Sequence, residues 1–123
     1  MQNHKKHGLK KTYLCIKLKE MTFKELDLSN QLQYAIDDLG FENPTPIQEQ
    51  AFSVVRSGKD VVGIAQTGTG KTFAYMLPIL RDLKFSKQQH PRILVLVPTR
   101  ELVLQVVEQI EQLSKYINTR VLG

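Results

Sequence analysis

A phosphate-binding loop is the clearest chemical pattern in this sequence, and it comprises Ala65, Gln66, Thr67, Gly68, Thr69, Gly70, Lys71 and Thr72. Glycine lacks the Cβ atom that disfavours many backbone conformations, so Gly68 and Gly70 allow successive N–H groups to turn towards a polyphosphate. Lys71 is spaced to reach the β- and γ-phosphates, and the Thr72 hydroxyl is spaced to bind Mg²⁺. The pattern therefore predicts that Lys71 and Thr72 take a catalytic part in phosphate chemistry, with Thr72 as the metal-binding residue.

The segments on both sides of the loop have the composition that such a loop requires. Residues 61–65 are an apolar run that predicts a buried strand, and residues 72–77 predict a buried helix. The start of that helix would place unpaired N–H groups and the positive end of the helix dipole beneath the same anion. The general pattern has glycine at the first position, where this chain has Ala65. Taken alone, the loop leaves open a plain turn between strand and helix, with Lys71 in solvent.

A capping signal precedes the loop. Thr45 can cap a helix, Pro46 suits its first position, and Gln48 falls at the third, which makes a Thr-x-x-Gln capping box. The helix is predicted to run to about Arg56. Local sequence alone therefore explains Gln48 without any ligand.

The remaining pattern alternates apolar strands with amphipathic helices. Residues 30–39 predict a helix between a Ser29 cap and a Gly40 stop, and residues 92–97 predict a second buried strand. Thr99 can cap a last helix, whose apolar residues share one face and are interpreted as core packing: Leu102, Val106, Ile110, Leu113 and Ile117. The chain is therefore predicted to have an α/β fold with a parallel sheet.

The net charge of +5 is concentrated at the amino terminus of the 123-residue chain. Residues 1–20 hold six of the 17 basic side chains and one of the 12 acidic ones, so residues 21–123 carry eleven of each sign. Terminal charge runs are commonly unstructured. Residues 1–20 are therefore predicted to be a disordered basic tail, and six lysines in contact with nucleic-acid phosphates remain the alternative.

Cysteine usage and apolar run lengths limit the class of protein. Cys15 is the only cysteine, which rules out an internal disulfide and a cysteine zinc cluster. The apolar stretch at residues 13–16 is too short for a secretory signal, and no run approaches the roughly 18 residues needed to span a bilayer. We expect a cytoplasmic protein with no membrane partner.

Three stretches and one upstream aromatic residue occur together in a fixed order. Residues 40–48, 65–72 and 98–105, with Phe23 upstream, resemble the motifs of the DEAD-box ATP-dependent RNA helicases. That family's own phosphate loop has alanine at its first position, so Ala65 agrees with the resemblance. The resemblance covers about residues 21–123 and implies a partial RecA-like phosphate-loop NTPase domain, with parallel strands flanked by helices. Its motifs are a glutamine motif at 21–49, the phosphate loop at 65–72 and an RNA-contact motif at 98–105.

The resemblance also implies an ATP site that includes Phe23, Thr45 and Gln48 besides loop residues 65–72. In this family the glutamine amide pairs with the adenine edge while the upstream aromatic packs on the base, which selects ATP. An amide suits this role because it offers both a donor and an acceptor. Gln48 is therefore predicted to recognise adenine as well as to cap its helix.

For the RNA-contact motif the resemblance implies that Pro98, Thr99 and Arg100 meet the sugar-phosphate backbone of RNA. A helix start that carries a guanidinium suits a phosphate group. From the residues alone, the alternative that Thr99 only caps and Arg100 pairs with a carboxylate stays open.

The implied parent activity is RNA-stimulated ATP hydrolysis with local duplex unwinding, which uses ATP and Mg²⁺. The sequence contains no Asp-Glu-Ala-Asp motif, so the chain is expected to be an amino-terminal fragment that ends before that motif and turns over no ATP alone. With strands that lack partners, it is also expected to be marginally stable or unfolded in solution and prone to aggregation or alternative strand pairing. The alternatives are an inert adenine-nucleotide-binding remnant and another phosphate-loop NTPase, such as a DNA helicase.

Overall fold

The computed structural model describes residues 20–123. The predicted disorder of the basic tail concerns residues 1–20 and so lies, apart from Glu20, outside the described residues. The described part contains a short 3₁₀ turn at Phe23–Glu25 and the helices α1 (Asn30–Asp38), α2 (Pro46–Arg56), α3 (Lys71–Asp82) and α4 (Arg100–Leu113). Every predicted helix is therefore present.

The helix starts follow the capping signals of the sequence. The Ser29 hydroxyl accepts a hydrogen bond from the Leu32 N–H at 3.4 Å, and the Thr99 hydroxyl accepts one from the Leu102 N–H at 3.3 Å. At the start of α2, the side chain of Gln48 accepts from the Thr45 N–H at 3.0 Å. Each such cap contributes about 1 kcal/mol to helix stability.

One hydrophobic core joins all four helices and the segment before α1. It is formed by Phe23, Leu26, Leu32, Ile36, Phe52, Phe73, Met76, Leu77, Leu80, Ile110 and Leu113. A fully buried side chain of this kind stabilises the fold by about 1.5–3 kcal/mol relative to an exposed one. On α4, Ile110 and Leu113 are buried and Val106 is half-buried, as the shared apolar face predicts, whereas Leu102 is 37% exposed.

The two predicted strands, residues 61–65 and 92–97, are not formed in residues 20–123. Both segments are irregular, and no backbone hydrogen bond joins one to the other. A strand exists only when its N–H and C=O groups pair with a neighbour, and a local apolar pattern does not supply that neighbour. The prediction of parallel strands is therefore not confirmed for the described part of the chain.

Exposure nevertheless alternates along the second of these segments. Ile93 and Val95 are half-buried, whereas Leu94 is 78% exposed and Leu96 is 83% exposed. In the first segment Ile64 is 92% exposed. The helices thus cover one side of residues 93–97, whereas Val61, Val62 and Ile64 in the first segment are all exposed.

No helix within residues 20–123 is both long enough and apolar enough to cross a membrane.

Candidate functional site

The phosphate loop joins the irregular 61–65 segment to α3. Gly68 has φ +78° and Gly70 has φ +74°, a left-handed conformation that side chains with a Cβ disfavour. Gly70 is the residue directly before α3, so its conformation sets how the loop enters that helix. A Cβ atom on Gly70 would also collide with the side-chain amide nitrogen of Gln48. Glycine at position 70 therefore avoids both a disfavoured backbone conformation and a displacement of the Gln48 amide.

The start of α2 is bound to this loop by two side chains. The Thr45 hydroxyl donates to the Thr69 carbonyl at 2.8 Å, and the Gln48 Nε2 donates to the Gly70 carbonyl at 3.2 Å. Gln48 is buried, with 5% of its surface exposed, and its Oε1 is occupied by the Thr45 N–H. Both ends of the amide thus make bonds within the protein. The capping role predicted for Gln48 is confirmed, and the amide in addition fixes α2 against the loop.

The loop also makes bonds within itself. Lys71 is exposed, and its Nζ donates to the Ala65 carbonyl at 2.7 Å, while the Thr69 hydroxyl donates to the Gln66 carbonyl at 2.6 Å. Gln66 and Thr67 are exposed and Thr72 is half-buried. A phosphate oxygen is a charged acceptor and binds an ammonium more strongly than a neutral carbonyl does. The Lys71 ammonium is therefore held beside the loop by a contact that a phosphate can replace.

The aromatic residues near α2 have different environments from those predicted. Phe23 is 2% exposed and belongs to the hydrophobic core, so in this structure its ring offers no open face to a base. Phe41 is 49% exposed, and its ring packs edge-on against Phe73 of α3 with centroids 5.9 Å apart. The stacking of Phe23 on a base stays a prediction, while Phe41 is an exposed aromatic residue beside α3 that sequence reasoning passed over.

Phe41 lines an open cavity of about 400 Å³. The other lining residues are Thr22, Lys24, Gln33, Asp37, Gly40 and Glu42. The available signal for Phe41 was its place next to Gly40 in the glutamine motif. Only the fold shows that its ring, rather than that of Phe23, is open.

The predicted RNA-contact residues lie at the start of α4. Pro98, Thr99 and Arg100 are all exposed, and the Thr99 hydroxyl caps the helix through Leu102. Within residues 20–123 Arg100 has no carboxylate partner, so the alternative in which it forms an ion pair finds no support there. No group of three His, Cys, Asp or Glu side chains in that same range is placed to hold a metal ion.

Comparison with known families settles the relationship. The profile of the DEAD/DEAH box helicases matches residues 45–123, which include both the Gln48 contact and the loop. The chain belongs to the DEAD/DEAH box helicase family. The match spans the region in which α2, the loop and α3 of this DEAD/DEAH box chain meet.

Relatives of this DEAD/DEAH box chain are much longer proteins. It is 45% identical over 97 residues to the ATP-dependent RNA helicase DeaD of Haemophilus influenzae, a match that covers 79% of this chain and 16% of the relative. It is 48% identical over 98 residues to the ATP-dependent RNA helicase SrmB of Escherichia coli, covering 77% of this chain and 22% of the relative. The chain thus spans between about a sixth and a quarter of the length of these relatives.

Solved structures agree with the family. The RNA helicase Prp28 from Chaetomium thermophilum, bound to ADP, has a TM-score of 0.73 and 32% identity, covering 83% of this chain and 26% of that chain. A hypothetical ATP-dependent RNA helicase from Sulfolobus tokodaii has a TM-score of 0.65 and 37% identity, covering 75% of this chain and 26% of that chain. The fold of this DEAD/DEAH box chain is accordingly that of part of a RecA-like helicase domain.

Proposed function

We propose that this chain is the amino-terminal, ATP-binding part of an ATP-dependent RNA helicase. The observation that carries the proposal is the pair of bonds from Thr45 and Gln48 to the loop carbonyls of Thr69 and Gly70. They bring a side chain suited to reading a base next to a loop suited to holding phosphates. The parent activity would be RNA-stimulated ATP hydrolysis with local unwinding of duplexes.

The loop residues have separate roles in nucleotide binding. The backbone N–H groups from Gly68 to Thr72 would bind the phosphate oxygens, and the Lys71 ammonium would exchange the Ala65 carbonyl for the β- and γ-phosphates. The Thr72 hydroxyl would hold Mg²⁺ together with phosphate oxygens, and the ion would neutralise charge on the phosphates. The left-handed Gly68 and Gly70 fit this role because glycine adopts that backbone conformation without the penalty that a Cβ atom brings.

Base recognition requires an exchange of partners at Gln48. Its Nε2 is bonded to the Gly70 carbonyl at 3.2 Å, so pairing with adenine would replace or share that bond. The ring of Phe41 is 49% exposed and packs against Phe73 in the first turn of α3, so it offers an apolar surface for the base beside the helix that follows the loop. We therefore assign base stacking to Phe41 in this conformation, with Phe23 supporting the site from the core.

RNA contact is assigned to the start of α4. Pro98, Thr99 and Arg100 are exposed there, and a guanidinium next to unpaired helix N–H groups suits a backbone phosphate. Contacts of this kind position RNA without reading its sequence. The Asp-Glu-Ala-Asp motif, which would bind Mg²⁺ and orient water, does not occur in these 123 residues, so the chain by itself binds nucleotide without hydrolysing it.

Nucleotide titration of the 123-residue chain tests this proposal. With Mg²⁺ present, calorimetry is expected to show binding of ATP, weaker binding of GTP and a loss of at least about tenfold in ATP affinity for Lys71→Ala, because one charge-assisted phosphate contact is removed. Lys59→Ala is the matched control, since Lys59 is exposed and lies outside the loop. Absence of ATP binding by the unaltered chain, or equal affinity of Lys71→Ala, would contradict the proposal.

A further inference from the structure

Four charged side chains lie at the ends of α2 and α3 that are remote from the loop. Arg56 is the last residue of α2, and Arg81 and Asp82 are the last two residues of α3. Asp27 joins them from the segment that links the 3₁₀ turn to α1. We call these four residues the far-end network.

Asp27 is the centre of the far-end network. Its carboxylate accepts from Arg56 at 2.8 Å and from the Arg81 Nη2, which lies 3.2 Å from each carboxylate oxygen. The Arg81 Nε also donates to the Asp27 backbone carbonyl at 2.6 Å. Arg81 thus holds both the side chain and the backbone of Asp27.

The two helices are also joined directly. The Arg56 Nε donates to the Asp82 carboxylate at 3.1 Å, and the Arg56 guanidinium lies 5.6 Å from the centre of the Phe52 ring. Phe52 is a core residue with 5% exposure, so the direction of the Arg56 side chain is fixed on its apolar side as well. Exposed single ion pairs contribute little to stability, but a planar guanidinium with two bonded partners restricts geometry.

The far-end network and the Gln48–Gly70 bond lie at opposite ends of α2 and α3, and both affect the angle between the two helices. Helices α2 and α3 contain 11 and 12 residues, and at about 1.5 Å per residue each is roughly 16–18 Å long. At one end they are joined by the bond from Gln48 to Gly70, and at the other by the far-end network. Asp27 bridges Arg56 of α2 and Arg81 of α3, so loss of its carboxylate would remove one restraint on the angle between the two helices, while the Arg56–Asp82 bond and the shared core would remain. A change in that angle would move Gln48 relative to the loop.

The two parts of the nucleotide site would respond differently to that motion. Gln48 belongs to α2, whereas Lys71 is the first residue of α3 and Gly70 directly precedes it. A shift of about 1 Å is enough to disturb a positioned group. Base recognition would therefore be weakened while phosphate binding would be retained.

We propose that Asp27, acting through Arg56 and Arg81, is a positioning residue that sets Gln48 against the phosphate loop and so supports adenine selection. This proposal rests on the proposed function, since it concerns recognition of ATP at the same site. According to this proposal, the remote Asp27 carboxylate affects the binding of the adenine base and does not affect the binding of phosphate.

The test compares two probes on the 123-residue chain, ATP and inorganic tripolyphosphate, each with Mg²⁺ and each titrated by calorimetry. For Asp27→Asn, ATP affinity is expected to fall about fivefold, the equivalent of one hydrogen bond of about 1 kcal/mol, with tripolyphosphate affinity unchanged within about twofold. Glu108→Gln is the matched control, because Glu108 is an exposed carboxylate on α4 outside the far-end network. A proportional fall for both probes, or no change for either, overturns the proposal.

A second measurement does not depend on nucleotide. In the free chain, the NMR signals of the Gln48 side-chain amide are expected to shift in Asp27→Asn and to stay in place in Glu108→Gln, and unchanged signals in both overturn the proposal. Should Asp27→Asn fail to fold, Arg56→Lys decides by the same readouts, since lysine keeps the charge but cannot bridge Asp27 and Asp82 with a planar fork. Failure of the unaltered chain to bind ATP would instead count against the proposed function, and the NMR comparison would still decide the role of Asp27.

Discussion

At the scale of single residues, Gly70 shows how one position can serve both the backbone and the site. It is left-handed at φ +74°, and its missing Cβ leaves room for the amide of Gln48. Gly58 has nearly the same angle, φ +73°, but nothing lies within 4 Å of the Cβ that would be added there. A comparison of Gly58 with Gly70 separates two requirements. Both positions have a left-handed backbone, but only at Gly70 would an added Cβ meet a neighbouring side chain.

We expect Gly70→Ala to lose more stability than Gly58→Ala. Both changes carry a left-handed penalty of about 1–2 kcal/mol, and only Gly70→Ala must also displace Gln48 from the loop. Its ATP affinity should fall in parallel, whereas that of Gly58→Ala should not change. Urea unfolding and ATP titration measure the two effects, and equal losses for both variants would show that the Gln48 contact has no part in the site.

Gly70 and Gln48 also mark the limit of what could be predicted from the sequence. The cap formed by Gln48 was predictable because Thr45 is three residues away, within one helical turn. Its bond to Gly70 joins residues 22 positions apart, and no local rule reports such a contact. The ATP site is therefore a prediction from family resemblance, and the bond that joins Gln48 to the loop is visible only in the fold.

At the scale of elements, helices were predictable and strands were not, for the same physical reason. The caps at Ser29 and Thr99 are bonded within three residues, so the helix starts are encoded locally. Residues 61–65 and 92–97 were predicted as strands from apolar composition, but a strand needs a hydrogen-bonded neighbour that composition does not specify. The contact between the end of α1 and the residues after α4 likewise joins positions that are far apart in the sequence.

The last residue of α1, Asp38, binds the turn that follows α4: its carboxylate accepts hydrogen bonds from Lys115 and, at 2.7 Å, from the Tyr116 hydroxyl. The hydrogen bond from Lys115, followed by that from Tyr116, holds the pKa of Asp38 below its ordinary value of 3.8. A lowered folded-state pKa means that the unfolded chain takes up the proton more readily. The stabilisation is therefore present above pH 3.8 and is lost as the pH falls through the lower, folded-state pKa.

We expect the free energy of unfolding of the unaltered chain to exceed that of Asp38→Asn near pH 6, and the difference to shrink towards zero as the pH falls below 3.8. Urea unfolding across this pH range measures the difference. Asp37→Asn controls for the loss of a charge from α1, since Asp37 accepts from Gln33 rather than from Lys115 or Tyr116. A difference that stays constant or grows in acid would contradict the assignment.

At the scale of the whole molecule, the described chain is a layer of helices with an open apolar side. Leu94 and Leu96 are 78% and 83% exposed, whereas Ile93 and Val95 are half-buried and Val95 packs against the helical core. Backbone groups of residues 92–97 have no strand partner within the described part of the chain. Residues 93–97 are apolar, uncharged and unpaired, and segments of this kind are templates for association with other chains.

Self-association of this chain should therefore depend on the exposed side chains of residues 92–97, and its folding should depend on the half-buried ones. Leu96→Lys places a charge on the exposed side, and we expect it to lower the sedimentation-detected aggregation of the chain at a given concentration without changing its helical circular dichroism. Val95→Lys makes the same kind of change one residue away but buries the charge against the helices, so it should reduce helicity and increase aggregation. Equal behaviour of the two variants would show that the two sides of residues 92–97 are not distinguished in solution. If Leu96→Lys lost helicity and Val95→Lys did not, the fold would depend on the Leu94 and Leu96 side of this segment rather than on the Val95 side.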